Sequence, residues 1–161
     1  MQNIRPVTTA DFDLIYHLYM HPQTNPYLLY EWMEKEQFKP IFEELLAKGI
    51  VYVYEEAGKT VGMFKLAPWG YRTDHIVYLG GLAIHPDCFG QGYGRKMVEA
   101  ILDFAKSLGY LRVELSTAVT NEKAIRLYEK AGFEKEGVLR RYTHLKSEGV
   151  FLDEVMMSYL F

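Results

Sequence analysis

The sequence predicts an α+β fold of three layers: a mixed, mostly antiparallel sheet of about seven strands with helices on both faces. Three observations lead there. Seven short stretches rich in β-branched and aromatic residues have the length and flanking turn residues of strands. Four others repeat apolar residues every three to four positions and end at glycine or proline, as amphipathic helices do. Their order is strand, two helices, three strands, helix, strand, helix, two strands, and the strand–helix–strand unit in the middle brings a parallel pair into a sheet otherwise built from hairpins.

Asn3 to Val7 reads as a short opening strand. Thr9-Ala10-Asp11 offers an N-cap to Phe12, Ile15, Tyr16 and Tyr19, a first helix that His21-Pro22-Gln23-Thr24-Asn25-Pro26 breaks. A second helix carries Phe38, Ile41, Phe42, Leu45 and Leu46 on one face and stops at Gly49. Pro40 has no N–H and its ring clashes with the preceding turn, so it fits only a first turn, and Tyr27 to Lys39 is expected to be partly irregular. From Ile50 the pattern changes to strands. Val51–Tyr54 and Thr60–Leu66 flank the turn Glu56-Ala57-Gly58-Lys59 and make a hairpin. The next strand, Ile76 to Ile84, holds Gly80-Gly81 in mid-run, which marks a bulge or a close approach by another group. After Gly94, residues Met97, Ile101, Leu102, Ala105 and Leu108 line a helix face that ends at Gly109. A strand from Leu111 to Ser116, a short helix ending at Gly132, and strands around Val138–Leu145 and Phe151–Tyr159 complete the chain.

With 161 residues and no linker, repeat or low-complexity segment, residues 1–161 are expected to form a single domain. A hydrophobic share of 49% and a formal charge of −3 exclude a disordered tail. That charge also argues against nucleic acid as a partner, since phosphate backbones are met by dense Lys/Arg patches. One cysteine, Cys88, excludes a disulfide framework and a Cys-rich zinc site. The histidines His17, His21, His75, His85 and His144 show no short ligand spacing, so no metal is expected. No run approaches the ~18 apolar residues of a membrane span. The opening Met1-Gln2-Asn3-Ile4-Arg5-Pro6 lacks the apolar centre of a secretory leader, so the expectation is a cytoplasmic protein with no membrane partner. Thirteen tyrosines give the core many phenols that need hydrogen-bond partners where they are buried.

Chemistry concentrates in Leu82-Ala83-Ile84-His85-Pro86-Asp87-Cys88-Phe89-Gly90-Gln91-Gly92-Tyr93-Gly94-Arg95, where a strand hands over to a helix. Alternating glycines let the backbone approach a ligand and turn successive N–H groups toward one anion. The helix N-terminus behind them adds free N–H groups and its dipole, a natural cradle for a pyrophosphate. A tight strand–helix turn would use the same glycines. A P-loop requires Lys-Ser/Thr after its last glycine, and Gly94 is followed by Arg95-Lys96-Met97. A dinucleotide fold requires G-x-G-x-x-G after the first strand, whereas this loop reads G-x-G-x-G after a late one.

A second stretch runs from Asn121 to Phe133. Seven positions apart on a helix, Asn121 and Tyr128 share a face, with the small Ala124 between them. Together the two stretches resemble the GNAT superfamily of acyl-CoA N-acyltransferases over roughly Tyr78 to Phe133. The helix pattern N-x-x-A-x-x-x-Y-x-x-x-G-F is matched in full. The loop pattern [QR]-x-x-G-x-[GA] is matched at Gly92 and Gly94, with Phe89 where Gln or Arg is usual.

The resemblance implies a GNAT-like fold and acetyl-CoA as cofactor, with CoA as product. It implies that Leu82, Ala83 and Ile84 bind the pantetheine arm through their backbone. Gly90 to Arg95, including Gln91, Gly92, Tyr93 and Gly94 and flanked by Phe89, would hold the pyrophosphate. Asn121, Ala124 and Lys130 complete the cofactor contacts, and Tyr128 points its hydroxyl at the thioester sulfur. Acyl transfer to an amine expels a thiolate, which a phenol of pKa ~10 can hydrogen-bond or protonate.

The base is less defined. Glu31 in the irregular segment, Asp74 ahead of the glycine-bearing strand, and Ser116 at the end of the following strand are the acceptor-site candidates. Glu114 shares the face of Ser116, and a water relay to backbone carbonyls is an equal option. Cys88 beside the loop invites a covalent reading, with His85 three residues away as base. The resemblance implies direct transfer instead, and a lone cysteine is usually a small apolar residue.

The C-terminal hairpin has the G-x-[YF]-x-D-x-x-x-M look of the branch that acetylates ribosomal-protein N-termini and polyamines, and Arg140 and Arg141 there read as a solvated face. The acceptor implied is an amine, on a small molecule or a protein N-terminus, and many relatives are dimers, so a homodimer is one option. A non-catalytic acyl-CoA sensor would share every cofactor contact, and a nucleotide-binding protein would need ATP to compete with CoA.

Overall fold

The computed structural model describes residues 3–161. Met1 and Gln2, counted above in the single-domain expectation, lie outside the described residues. Strands β1 (Ile4–Pro6), β2 (Val51–Glu56), β3 (Lys59–Pro68), β4 (Ile76–Ile84), β5 (Arg112–Ala118), β6 (Glu134–Leu145) and β7 (Val150–Leu160) form one sheet in the order β1-β2-β3-β4-β5-β7-β6. β4 and β5 are parallel, because a helix carries the chain across between them, and every other neighbouring pair is antiparallel.

Helices cover both faces. α1 (Phe12–Met20) and α2 (Lys35–Lys48) bury Ile15, Leu18, Tyr19, Phe38 and Phe42 against Val51, Val53, Met63 and Ala83. α3 (Tyr93–Ser107) and α4 (Glu122–Ala131) bury Met97, Val98, Ile101 and Ile125 against Phe64, Val77, Leu79, Val113, Leu115, Val155 and Met157. The two cores draw alternate residues from the same strands, as the pleat requires. The expected three-layer α+β arrangement is the one adopted.

β4 departs from simple alternation. Lys65 of β3 faces Gly80 and Met63 faces Ala83, so β4 carries one extra residue at Gly81-Leu82. Gly81 adopts φ +55°, a left-handed value that suits a bulge. Before the bulge, Val77 and Leu79 face α3; after it, Leu82 and Ile84 do, and Ala83 turns to α1 and α2. Both expectations for the glycine pair hold, since a Cβ on Gly81 would stand 2.8 Å from the Tyr19 hydroxyl and one on Gly80 3.1 Å from the Tyr78 ring.

Some boundaries differ from the expected ones. α2 starts at Lys35, so Pro40 lies in its second turn. The missing N–H and ring clash cost up to about 3 kcal/mol. They are offset by a capping box between Glu34 and Gln37, worth about 1 kcal/mol, and by full burial of Phe38, worth about 1.5–3 kcal/mol. β6 starts at Glu134, whose polar first turn reads as loop but forms an edge strand paired to β7 through Glu134↔Ser158. Leu108 and Leu111 are exposed, because α3 ends at Ser107 and β5 begins at Arg112. Gly49 and Gly132 end their helices at φ +62° and +105°, as expected.

Candidate functional site

The parallel pair β4–β5 is bonded only at Ile76–Tyr78 against Arg112–Glu114. β4 then continues to Ile84 and β5 to Ala118 without pairing to each other, so the sheet opens into a wedge with its vertex at Tyr78 and Glu114. Along this gap the β5-facing backbone edge of Leu79–Ile84 has no strand partner among the described residues, which leaves amide groups for a ligand. The wide end lies at the carboxyl ends of two parallel strands, the usual ligand position in such sheets.

At the wide end sits the glycine loop. His85 Nδ1 accepts a bond from Asp87 N at 3.2 Å and starts a short 3₁₀ turn over Pro86–Cys88. Gly90 and Gly92 adopt φ +70° and +78°, and a Cβ on either would meet nothing within 4 Å, so both face open space. Gly92 caps α3 with backbone alone, and among the described residues no side chain caps its first-turn N–H groups. Gly94 serves packing as well: a Cβ there would stand 3.3 Å from Leu127 Cδ2 of α4. Exposed cations surround the loop. Arg95 pairs with Glu99, Lys96 lies over the Tyr93 ring, and Lys123 lies 5.9 Å from the Phe89 ring centre, while Gln91 donates to Asp87 O.

α4 runs back along the gap from the wide end toward the vertex. Asn121 is its N-cap rather than a residue within it: Oδ1 accepts from Ala124 N and Nδ2 donates to Thr117 Oγ1 at 3.2 Å. Two turns on, Tyr128 is 8% exposed, with its ring 5.7 Å from that of Phe133. Burial, and then the neighbouring Tyr78, push its phenol well above the ordinary tyrosine range. Its hydroxyl is not among the sealed, partnerless polar atoms of the described residues. Lys130, in the last turn, is solvent-exposed.

On the α1–α2 face of the sheet a chain of polar groups crosses four strands. Tyr78 OH and Ser116 Oγ are 2.9 Å apart, Ser116 donates to Glu154 Oε1 at 2.6 Å, and Thr143 Oγ1 donates to Glu154 Oε2. Burial raises the Tyr78 phenol, and the Ser116 bond offsets part of that rise. Tyr78 and Glu154 were not singled out from sequence. An acid set among Phe151, Leu152, Val155 and Met156 in a strand is the signal that marks Glu154.

Of the three acceptor-site candidates only Ser116 joins this chain. Glu31 is exposed and accepts from Ser147 N at 3.0 Å, which ties the segment between α1 and α2 to the β6–β7 turn and lowers its pKa, making it a weaker base. Asp74 is exposed two residues ahead of β4, at the closed end of the wedge. Glu114 is held by Arg112 at 3.0 Å, and Arg112 also pairs with Glu136. Cys88 is buried in the α3-side core, as a small apolar residue would be. Arg140 and Arg141 are exposed, the latter over the Phe151 ring at 4.2 Å. Among the described residues no cluster could hold a metal ion, and no helix is long and apolar enough to cross a membrane.

Comparison with known proteins decides the family. The profile of the acetyltransferase (GNAT) family matches residues 12–133, about three-quarters of the chain. The chain belongs to the GNAT acetyltransferase family. Within it, the chain is 30% identical to the spermidine N(1)-acetyltransferase of Vibrio cholerae over 146 residues, covering 84% of this chain and 80% of that protein. It spans about two-fifths of the length of the first curated relatives it matches, with 36% identity to the camello protein of Xenopus laevis over 84 residues, 52% of this chain and 38% of the relative. Two solved structures share the GNAT fold. The spermidine N-acetyltransferase of Vibrio cholerae in complex with CoA and spermine superposes with TM-score 0.81 at 22% identity, covering 98% of this chain and 94% of that one. The ribosomal-protein-alanine N-acetyltransferase of Brucella melitensis gives 0.79 at 22%, covering 98% and 99%.

Proposed function

We propose that the chain is a single-domain, cytoplasmic, acetyl-CoA-dependent N-acetyltransferase that moves an acetyl group to a primary amine by direct transfer in a ternary complex. The observation that carries this reading is Tyr128, a buried phenol at the narrow end of a gap whose wide end holds an anion cradle.

The residues fit the cofactor. Gly90 and Gly92 leave the cradle open, the first turn of α3 presents uncapped N–H groups, and the β4 edge is free beside the gap. The Gly90–Arg95 backbone would hold the pyrophosphate, with Phe89 and Gln91 at its border and Arg95, Lys96 and Lys123 supplying positive charge. Leu82, Ala83 and Ile84 would offer backbone groups to the pantetheine amides, and Ala124 leaves room on the α4 face. Asn121 spends its amide on the cap and Thr117, so its contact with the cofactor is secondary. Lys130 would reach only solvent-exposed parts of the cofactor. When bound, acetyl-CoA supplies an acetyl thioester whose leaving group is a thiolate.

Tyr128 would donate its hydroxyl proton to the departing sulfur. The phenol carries that proton at neutral pH even without burial, and burial, by raising its pKa, keeps it there as a hydrogen-bond donor to the charge that develops on sulfur. The acceptor would lie on the opposite side of the gap, between the segment joining α1 to α2 and the β6–β7 hairpin, beside Ser116. The relatives suggest the amine classes to try: polyamines and protein N-termini. The test is release of free CoA thiol from acetyl-CoA with a panel of spermidine, amino acids and an alanine-terminated peptide. Release that requires an added amine supports the proposal. Tight CoA binding with no release for any amine would contradict it.

A further inference from the structure

The polar chain across β4, β5 and β7 has a fixed direction. An ionised carboxylate only accepts hydrogen bonds. Ser116 and Thr143 therefore each spend their single hydroxyl proton on Glu154. The Ser116 oxygen is left as the acceptor toward Tyr78, so Tyr78 is the donor across that 2.9 Å contact. With its proton committed to Ser116, the Tyr78 oxygen keeps its remaining lone pair as an acceptor, near the Tyr128 side chain whose pKa it raises. Among the described residues no basic side chain forms an ion pair with Glu154. Two phenols also face Tyr78, Tyr128 from α4 and Tyr142 from β6.

We infer that Tyr78, Ser116 and Glu154 form a proton relay for the acceptor, with Tyr78 touching the amine and Glu154 as the terminal base. This rests on the acetyltransferase reading above. An N–H bond of the substrate ammonium breaks, its electron pair stays on nitrogen, and the proton goes to the Tyr78 oxygen. The Tyr78 proton passes to the Ser116 oxygen and the Ser116 proton to Glu154 Oε1. The amine becomes a neutral nucleophile, both hydroxyls end protonated as they began, and Glu154 becomes a neutral acid that later loses its proton to water. Thr143 is a positioning residue: bonded to Oε2, it keeps Oε1 on Ser116. The relay needs a Tyr78 that stays neutral, which its burial secures.

The test uses the full chain, acetyl-CoA and whichever panel amine reacts fastest. Glu154→Gln keeps the size of the side chain but cannot take the proton. Its kcat is expected to fall about 10²–10³-fold, with amine KM and CoA affinity unchanged. Tyr78→Phe and Ser116→Ala should lose kcat in the same way, which covers a Glu154→Gln protein that fails to fold. Single-turnover rates in H2O/D2O mixtures should curve for wild type, because several protons move, and become linear in Glu154→Gln. A raised amine KM at unchanged kcat would make Glu154 a binding group for the ammonium and overturn the relay. Full kcat in Glu154→Gln or in Ser116→Ala would overturn it too. A wild-type protein that releases no thiol with any amine would instead defeat the acetyltransferase reading itself.

Discussion

Replacing Gly81 by alanine should damage both the fold and the site, because one residue sets the phase of β4. Its φ of +55° costs an L-residue about 1–2 kcal/mol. The new Cβ would also stand 2.8 Å from the Tyr19 hydroxyl oxygen and 3.6 Å from Lys65 Cβ. Overpacking of that kind costs about 1–3 kcal/mol. The expected loss is therefore about 2–5 kcal/mol, a large part of the stability of an ordinary domain. Slipping the bulge would relieve the strain only by turning Leu82 and Ile84 away from the α3 core they pack against. Urea unfolding measures the loss. In Tyr19→Phe/Gly81→Ala the oxygen nearest the Cβ is gone, so only the backbone part of about 1–2 kcal/mol should remain. A single-variant loss below about 1 kcal/mol, or no recovery in the double variant, refutes the reasoning.

Gly92→Ala separates strain from binding: its Cβ meets no protein atom, so stability should fall by only about 1–2 kcal/mol. CoA affinity, measured by calorimetry, should fall at least about tenfold, a loss of about 1.4 kcal/mol; unchanged affinity would remove the loop from the cofactor site. Asp11→Asn should change the acid limb of stability. Hydrogen bonds from Arg5 hold the Asp11 carboxyl below its ordinary value, so the stability it adds is present above the unfolded pKa of about 3.9 and is lost as pH falls through the lower folded value. Urea titrations should show the gap between wild type and Asp11→Asn closing over that window, and a constant gap would contradict the pairing. Pro40→Ala should stabilise the protein by about 1–3 kcal/mol, since it returns a helix N–H to α2 and removes a clash. A lower thermal midpoint would mean that the proline ring contributes packing of its own.

How far the sequence reads depends on how local the cause is. β4 is legible to the residue, because its apolar run is bounded on both sides by polar turns. The phase reversal within it is not, since Gly80-Gly81 signals a bulge without saying which face each side chain takes. α2 is misread at its start because Pro40 is a strong local signal, and what overrides it is the burial of Phe38 beneath α1. The glycine loop and Tyr128 are legible because their spacing lies within short stretches. The Tyr78–Ser116–Glu154 chain is not, since its members are 38 residues apart at each step and meet only because β5 is inserted between β4 and β7.

The central claim is tested most directly by comparing wild type with Tyr128→Phe in amine-dependent release of CoA thiol, with CoA affinity measured on both proteins. Phenylalanine keeps the ring against Phe133 and removes only the hydroxyl, so the fold and CoA affinity should be unchanged. Turnover should fall about 10²–10³-fold. Wild-type turnover in Tyr128→Phe, at equal CoA affinity, would contradict the account.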